Sequence, residues 1–433
     1  MRKILLTLFA VLIAVPAFAI EVYNNGDNSV GIYGFVNGYM GYGLGVTGEA
    51  NGSVPVLGSS NTPSSLNHNM MYGLQNNTRI GTNIKIGNFT AQFELGANEK
   101  TLVNGTSNTV GLRQAWAAYT FGNGSKLLVG KTNTPTSMGG IISSFYDTDG
   151  GLNGYGGMVR SNRRFQVAYS IAGVTLALIE DDVNSAGAIT NINGFTDNAP
   201  YTPRAAISYE FKNDALLAKI AATYTAVNGS YTDAAGATKW TNLHAFGVVL
   251  GVRPTFGNMW LGIHARYGMN EDLYGEGKTV ANNGKYSHDS FSLTFPTIGA
   301  IGRSVNNDGS FNNTHRAGAA LEFGINVTEN FAAIIGGGYQ ATIQEIGDTI
   351  NITGIGAVGV TDPSYLVHSY AIFVQTPYKF NKNFALVPEI AWFSTSGKAS
   401  ANVNGMAGVI NGKAETSASQ SGLLVGVQFK ASF

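Results

Sequence analysis

Six histidines, His68, His244, His264, His288, His315 and His368, are the residues of this chain best suited to metal ligation or proton transfer. They are scattered and show no metal-ligand spacing. There are no cysteines, which excludes disulfides and thiolate sites. No Gly-x-Ser-x-Gly elbow and no phosphate loop occur. A hydrolase would need a Ser/His/acid constellation assembled only in space, and His264 reads as a polar wall residue, not as a catalytic base. The expectation is a non-enzyme without cofactor or metal. What remains is electrostatic chemistry, carried by charged side chains that recur on one alternate face of short segments.

In Phe89–Asn98 the set Phe89, Ala91, Phe93, Leu95, Ala97 alternates with Thr90, Gln92, Glu94, Gly96, Asn98. In Arg316–Ile325, Arg316 and Glu322 lie opposite Leu321 and Phe323. His264 and Arg266 lie opposite Ile263 and Tyr267. Arg79 shares a face with Gly81, Asn83 and Lys85, and Arg164 with Gln166 and Ser170. Lys219 and Glu389 fall on the same kind of face. Period two means β-strands with one apolar and one polar side. If the apolar side meets lipid, the charges must face inward, because a cation at the bilayer midplane costs about 2–4 kcal/mol. A soluble sandwich would turn the apolar side in, and the pattern alone does not separate the two.

The elements that would hold these residues are legible in the rest of the chain. Met1–Ala19 is an export signal: Arg2 and Lys3, then the apolar run Ile4–Val15, then Ala17-Phe18-Ala19. The run is too short to span a bilayer as a helix. Residues 20–433 form the structural unit. Charged residues are 12% of the chain, glycine numbers 57, and Tyr and Phe number 20 and 23. Few charges, many aromatics and no spanning helix after the leader fit a barrel that is apolar outside and polar inside. The near-zero net charge does not point to nucleic acid.

The last stretch alternates to its end, with Leu423, Val425, Val427, Phe429 and Ala431 on one face and Phe433 closing it. Seven tight turns are expected at Gly87-Asn88, Gly122–Ser125, Ala172-Gly173, Lys212–Asp214, Thr255–Asn258, Thr328–Asn330 and Asn381–Asn383. Eight longer polar connections alternate with them: 43–77, 99–109, 132–162, 181–202, 228–238, 270–310, 346–363 and 396–417. Short turns at one rim and long loops at the other predict an all-β, transmembrane antiparallel β-barrel of about sixteen strands. Phe89, Phe121, Tyr209, Phe211, Phe331, Tyr378, Phe380 and Phe384 flank the short turns, as a membrane-interface girdle would.

Ile32-Tyr33-Gly34-Phe35-Val36-Asn37-Gly38, Thr78-Arg79-Ile80-Gly81, Arg113-Gln114-Ala115-Trp116-Ala117-Ala118-Tyr119 and Leu128-Val129-Gly130-Lys131, together with the C-terminal strand, resemble the general Gram-negative porins. The resemblance covers about a fifth of the chain. It implies a sixteen-stranded, trimeric, water-filled channel in the bacterial outer membrane, in contact with lipid and lipopolysaccharide. It also implies that the assembly machinery reads the C-terminal strand at Val425, Val427, Phe429 and Phe433. The third external loop, about 132–162, would fold inward, its acids facing basic wall residues. Arg79 and Arg113 match family wall arginines. Arg164, with Arg160 and Lys131 nearby, falls where another is found. Alternation sets Arg113 opposite the face of Trp116. The family's Pro-Glu-Phe-Gly-Gly type segment is absent, so Asp147 and Asp149 are the only acids of Ile141–Gly151.

The expected function is passive diffusion of ions and small hydrophilic solutes. Two alternatives stand beside it: a sugar-type channel with Tyr33, Phe35 and Trp260 as a stacking path, and a surface adhesin acting through loops 43–77 and 270–310.

Overall fold

The computed structural model describes residues 20–47, 53–54, 58–59, 66–75, 77–97, 110–144, 151–152, 154–157, 163–180, 196–200, 203–271, 280–281, 285–288, 291–294, 305–306, 308–345, 349–352, 356–403 and 412–433. Sixteen antiparallel strands close into a barrel. The first quarter holds β1 (Asn28–Thr47), β2 (Leu66–Leu74 continued by Arg79–Ile86), β3 (Phe89–Ala97) and β4 (Val110–Thr120). Next come β5 (Lys126–Thr132), β6 (Arg164–Ile171), β7 (Val174–Ile179) and β8 (Thr196–Pro200 continued by Arg204–Lys212). The third quarter is β9 (Leu216–Thr232), β10 (Thr238–Phe256), β11 (Met259–Met269) and β12 (Thr314–Asn326). The last is β13 (Ala332–Glu345), β14 (Gly356–Gln375), β15 (Phe384–Val403) and β16 (Gly412–Ser432).

Each strand pairs with the next, and β16 pairs with β1 from Phe35↔Ser432 to Thr47↔Gln420. The N-terminal segment Ile20–Asn24 pairs with β1 below that point and continues the line of β16. Gly34 and Phe433 exchange both backbone hydrogen bonds, at 3.0 and 2.9 Å. A closed sheet leaves no unpaired edge, which a lipid environment requires.

The faces are inverted relative to a soluble sandwich. On β3, Phe93 is 46% exposed and Glu94 1%. On β12, Leu321 and Phe323 are exposed while Glu322 is buried, and on β6 Phe165, Val167 and Tyr169 flank buried Gln166. Apolar outside and polar inside resolves the ambiguity that alternation left open. The aromatics beside the short turns, including Phe89, Phe121, Tyr209, Phe211, Tyr378 and Phe380, are exposed on this outer surface.

All seven tight turns lie where the sequence places them. Ala172 and Gly173 both take positive φ, 50° and 84°, as a two-residue hairpin with the right-handed strand twist requires. The far rim differs from expectation. The stretch 228–238 is not a long loop: β9 runs to Thr232, β10 resumes at Thr238, and Asp233 closes the turn by accepting from Ala235 and Ala237 N–H at 2.9 Å. Likewise β15 and β16 reach Val403 and Gly412. These strand ends are polar on both faces, so they carry no period-two signal, yet cross-strand bonds such as Asn228 Nδ2 to Asn242 Oδ1 (2.7 Å) hold them paired. Short strands of the first and sixth long connections, Ser53–Val54, Gly58–Ser59, Val280–Ala281, Lys285–His288 and Phe291–Thr294, form a separate small sheet.

Candidate functional site

The inner face of β1–β4 holds a bonded polar cluster. Glu94, on β3, accepts from Arg113 Nε at 2.9 Å and lies 3.5 Å from a terminal nitrogen of Arg79. Tyr33 donates its hydroxyl to the other carboxylate oxygen at 2.9 Å. Gln92 donates to the Tyr33 hydroxyl and accepts from Trp116 Nε1 at 2.9 Å. The Arg79 guanidinium lies 4.1 Å from the centre of the Phe35 ring, a cation–π stack. Glu94 is almost wholly buried, whereas Arg79 keeps a quarter of its side chain exposed.

Two glycines make this packing possible. A Cβ at position 96 would fall 2.1 Å from Arg113 Cδ, and one at position 81 would fall 2.6 Å from the Tyr33 ring. Arg113 and Tyr33 therefore lie flat across neighbouring strands. Alternation predicted Arg113 and Trp116 on opposite faces, and the structure corrects this. Between Glu94↔Gln114 and Leu95↔Leu112 the register shifts by one residue. A bulge of this kind turns two successive side chains the same way, so Arg113, Gln114 and Trp116 all serve the inner surface.

The chain after β5 crosses to the other side of the barrel and lies along its inner wall. Ser137 O accepts from Lys219 Nζ (3.0 Å) on β9, and Gly140 O from Arg253 (2.7 Å) on β10. Ser143 donates its backbone N–H (2.5 Å) and hydroxyl (2.7 Å) to Glu322 on β12, and Gln375 on β14 donates to Ser143 O (2.9 Å). Ser144 donates to Glu389 on β15 at 3.0 Å, and Glu389 also accepts from Gln375. Gly156 O meets His264 Nδ1 at 3.1 Å, and the Tyr155 ring packs 5.1 Å from Phe393. Trp260 donates to Glu322 at 2.9 Å beneath this segment. Met138, Ile141, Ile142, Leu152 and Tyr155 are buried there, so apolar burial accompanies the hydrogen bonds.

The sequence candidates thus divide. Arg79, Arg113 and Glu94 come together on one wall. Arg164 lies half-buried on the inner face of β6 beside Gln166. Lys219, His264, Glu322 and Glu389 also face inward, but all four bond to the crossing segment. Arg266 and Arg316 converge on Glu271, which accepts from both, the second at 3.3 Å. Lys85 is exposed at the short-turn end of β2. Lys131 does not join the basic wall. It pairs with Phe165 and shares the outward face of Leu127 and Val129. Tyr33, Phe35 and Trp260 do not form an exposed row. Val425, Phe429 and Phe433 are exposed on the outer face, and Val427 is half-buried in the same register. Asp147, Asp149 and Arg160 lie outside the described residues.

Sequence reasoning missed Glu271, Arg253 and Gln375. Glu271 follows directly on Met269-Asn270, and its only sequence signal was an acid next to a strand carrying Arg266. Arg253 stands 4.9 Å over the Trp260 ring and gave no signal beyond its parity.

No family model and no curated protein sequence matches the chain. Among solved structures, the chain is similar to the outer membrane channel DcaP of Acinetobacter baumannii, with 14% identity, TM-score 0.52, and 95% and 99% of the two chains covered. An anion-selective porin from Comamonas acidovorans matches at 14% identity and TM-score 0.49, over 94% of this chain and 100% of that one. OmpF of Salmonella typhi, in complex with daunomycin, matches at 11% and 0.42, over 95% and 100%. At these identities the likeness is one of fold: a barrel of the outer-membrane channel type.

Proposed function

We propose that this protein is an outer-membrane porin, a water-filled channel for passive diffusion of ions and small hydrophilic solutes, narrowed by its third external loop. One observation carries the reading. The segment after β5 is fastened along the inside of β9–β15, while Arg79, Glu94 and Arg113 line the wall of β2–β4 away from it. Asp147 and Asp149, on the loop, would then face Arg79, Arg113 and Arg164 across the gap. Separated opposite charges set up a transverse field that orients water and dipolar solutes and penalises apolar ones. Permeation needs only weak binding, so no tight solute site is required.

The same reading includes export by Met1–Ala19, insertion through the C-terminal strand at Val425, Val427, Phe429 and Phe433, and a homotrimer set among lipid and lipopolysaccharide. An apolar outer groove beside the barrel seam, lined by Met40, Tyr42, Met70, Val374, Ile390 and Val425, is the face we assign to the contact between copies. The test is single-channel conductance of the refolded protein in planar bilayers under a salt gradient. Large ohmic steps arriving in threes support a trimeric diffusion pore. Absence of conductance from a folded barrel would sink the channel reading and favour a surface role for the loops.

A further inference from the structure

Three cations stand over aromatic rings on the inner wall. The Arg79 guanidinium lies 4.1 Å from the centre of the Phe35 ring, Lys126 Nζ 5.0 Å from that of Trp116, and the Arg253 guanidinium 4.9 Å from that of Trp260. The third pair shows what such a stack does as packing alone. Trp260 is 6% exposed beneath the crossing segment, and Arg253 donates to Gly140 O. That tryptophan is sealed from the lumen. The other two pairs lie on β1–β5, away from the anchors of the crossing segment. Phe35, Arg79, Trp116 and Lys126 are all half-buried on the inner face, so part of each ring and of each cation meets the lumen.

Hydrogen bonds hold these rings in place. Trp116 donates Nε1 to Gln92 at 2.9 Å, Gln92 donates to the Tyr33 hydroxyl, and Tyr33 donates to Glu94 at 2.9 Å. Glu94 in turn faces Arg79 at 3.5 Å. One relay thus ties both stacks together. Arg79 stands opposite Gly96, and Trp116 stands opposite Gln92, on the same strand β3. Four residues separate Gly96 from Gln92, about 14 Å along the strand. The wall therefore repeats one arrangement, a cation against an aromatic face, at two depths of the lumen.

We propose that this wall is a path for aromatic carboxylates, small anions with a planar ring, which it passes in preference to aliphatic anions of similar size. The inference rests on the channel reading above and names the solute class which that reading leaves open. An arginine stacked on a ring keeps its N–H groups in the guanidinium plane, where a carboxylate meets them edge-on, and offers its second face to another ring. A lysine over an indole sets a point charge beside an apolar face. An aromatic carboxylate uses charge and ring together at each station, whereas an aliphatic one uses the charge alone. Each contact is weak at a hydrated site. Two weak sites in series suit permeation, which needs entry without retention. The relay orders the wall beforehand, so little side-chain freedom is lost when a solute stacks.

The test is the bi-ionic reversal potential of the full chain in planar bilayers, with chloride on one side and benzoate, cyclohexanecarboxylate or acetate on the other. After division by free-solution mobility, benzoate should be about two- to fivefold more permeant than either aliphatic acid, the effect of one exposed cation–ring contact. The variant F35L/W116L keeps apolar side chains but removes both aromatic faces, so its ratio should fall to about one. Benzoate no more permeant than cyclohexanecarboxylate overturns the proposal, and so does a preference that survives the double variant. If the double variant does not insert, F35L and W116L are read singly, each expected to lose part of the preference, and the wild-type comparison decides by itself if neither inserts. A chloride-conducting channel without benzoate preference removes only this inference, whereas a folded barrel without any conductance removes the channel reading as well.

Discussion

Arg113 donates its Nε to Glu94 at 2.9 Å while lying flat across Gly96, so the charge on one wall strand is held by an acid on its neighbour and not by the loop alone. Both partners are nearly buried, and the same carboxylate faces Arg79. The basic wall is thereby partly balanced from within.

Opposite substitutions at this cluster should have opposite signs. Replacing Arg79 and Arg113 by Ala should move the zero-current potential toward cation preference. Glu94→Gln, which keeps the shape of the acceptor, should move it toward anions. Planar-bilayer measurements under a salt gradient read both. An unchanged potential in the arginine variant would sink their assignment to the conducting path.

The glycine under Arg113 is a second handle. Gly96→Val places a Cβ where Arg113 Cδ now lies, so the guanidinium must lift away from Glu94. Lifting a charge from a near-buried partner typically costs about 3 kcal/mol or more. The midpoint of heat-induced gel-migration change should fall, and selectivity should shift as well. Retained selectivity would show that Arg113 does not need its present pose.

Fastening of the crossing segment can be loosened at one point. Glu322 accepts two bonds from Ser143 and one from Trp260. Hydrogen bonds to a charged group are worth about 1.5–3 kcal/mol each. Glu322→Ala should therefore raise channel noise and change unit conductance while leaving the barrel assembled. Quiet channels of native conductance would show that the segment is held elsewhere.

At the short-turn rim, Ala172 pays for its positive φ. Ala172→Gly should stabilise the β6–β7 hairpin by about 1 kcal/mol, seen as slower unfolding in denaturant. Faster unfolding would mean that the alanine methyl packs against something worth more than the strain.

On the long-loop side, Asp233 is half-buried, and its carboxyl is held below the usual aspartate value, chiefly by the hydrogen bond from Lys239 and then by the N–H of Ala237. A depressed carboxylate contributes stability above its unfolded value and loses it as pH falls through the folded one. The 233–237 turn should therefore loosen on acidification through the aspartate range. Amide exchange at Ala235 and Ala237 should speed up there, and Asp233→Asn should remove that pH dependence.

Much of the fold was legible because the membrane demands regularity. Strands such as Phe89–Ala97 and Thr314–Asn326 alternate cleanly, since each residue meets either lipid or the interior. Each of the seven tight turns carried a Gly or Asn, although at Ala172 the backbone takes a positive φ without either. The signal failed where water replaces lipid: the ends of β9, β10, β15 and β16 are polar on both faces and read as loops. It failed again at Arg113, because a one-residue bulge is invisible to parity. Lys131 was assigned to the wall by its neighbours in sequence, yet its register with Phe165 turns it out. Glu271 and Gln375 act through partners far along the chain, and spacing cannot announce such pairings.

A cylinder one strand thick has no packed centre to resist being squeezed oval. The segment after β5 starts on one side and is tied at Ser137, Gly140, Ser143, Ser144 and Gly156 to strands on the other. It is a strut across the cross-section. Lateral pressure that flattens the wall must then be carried by that strut.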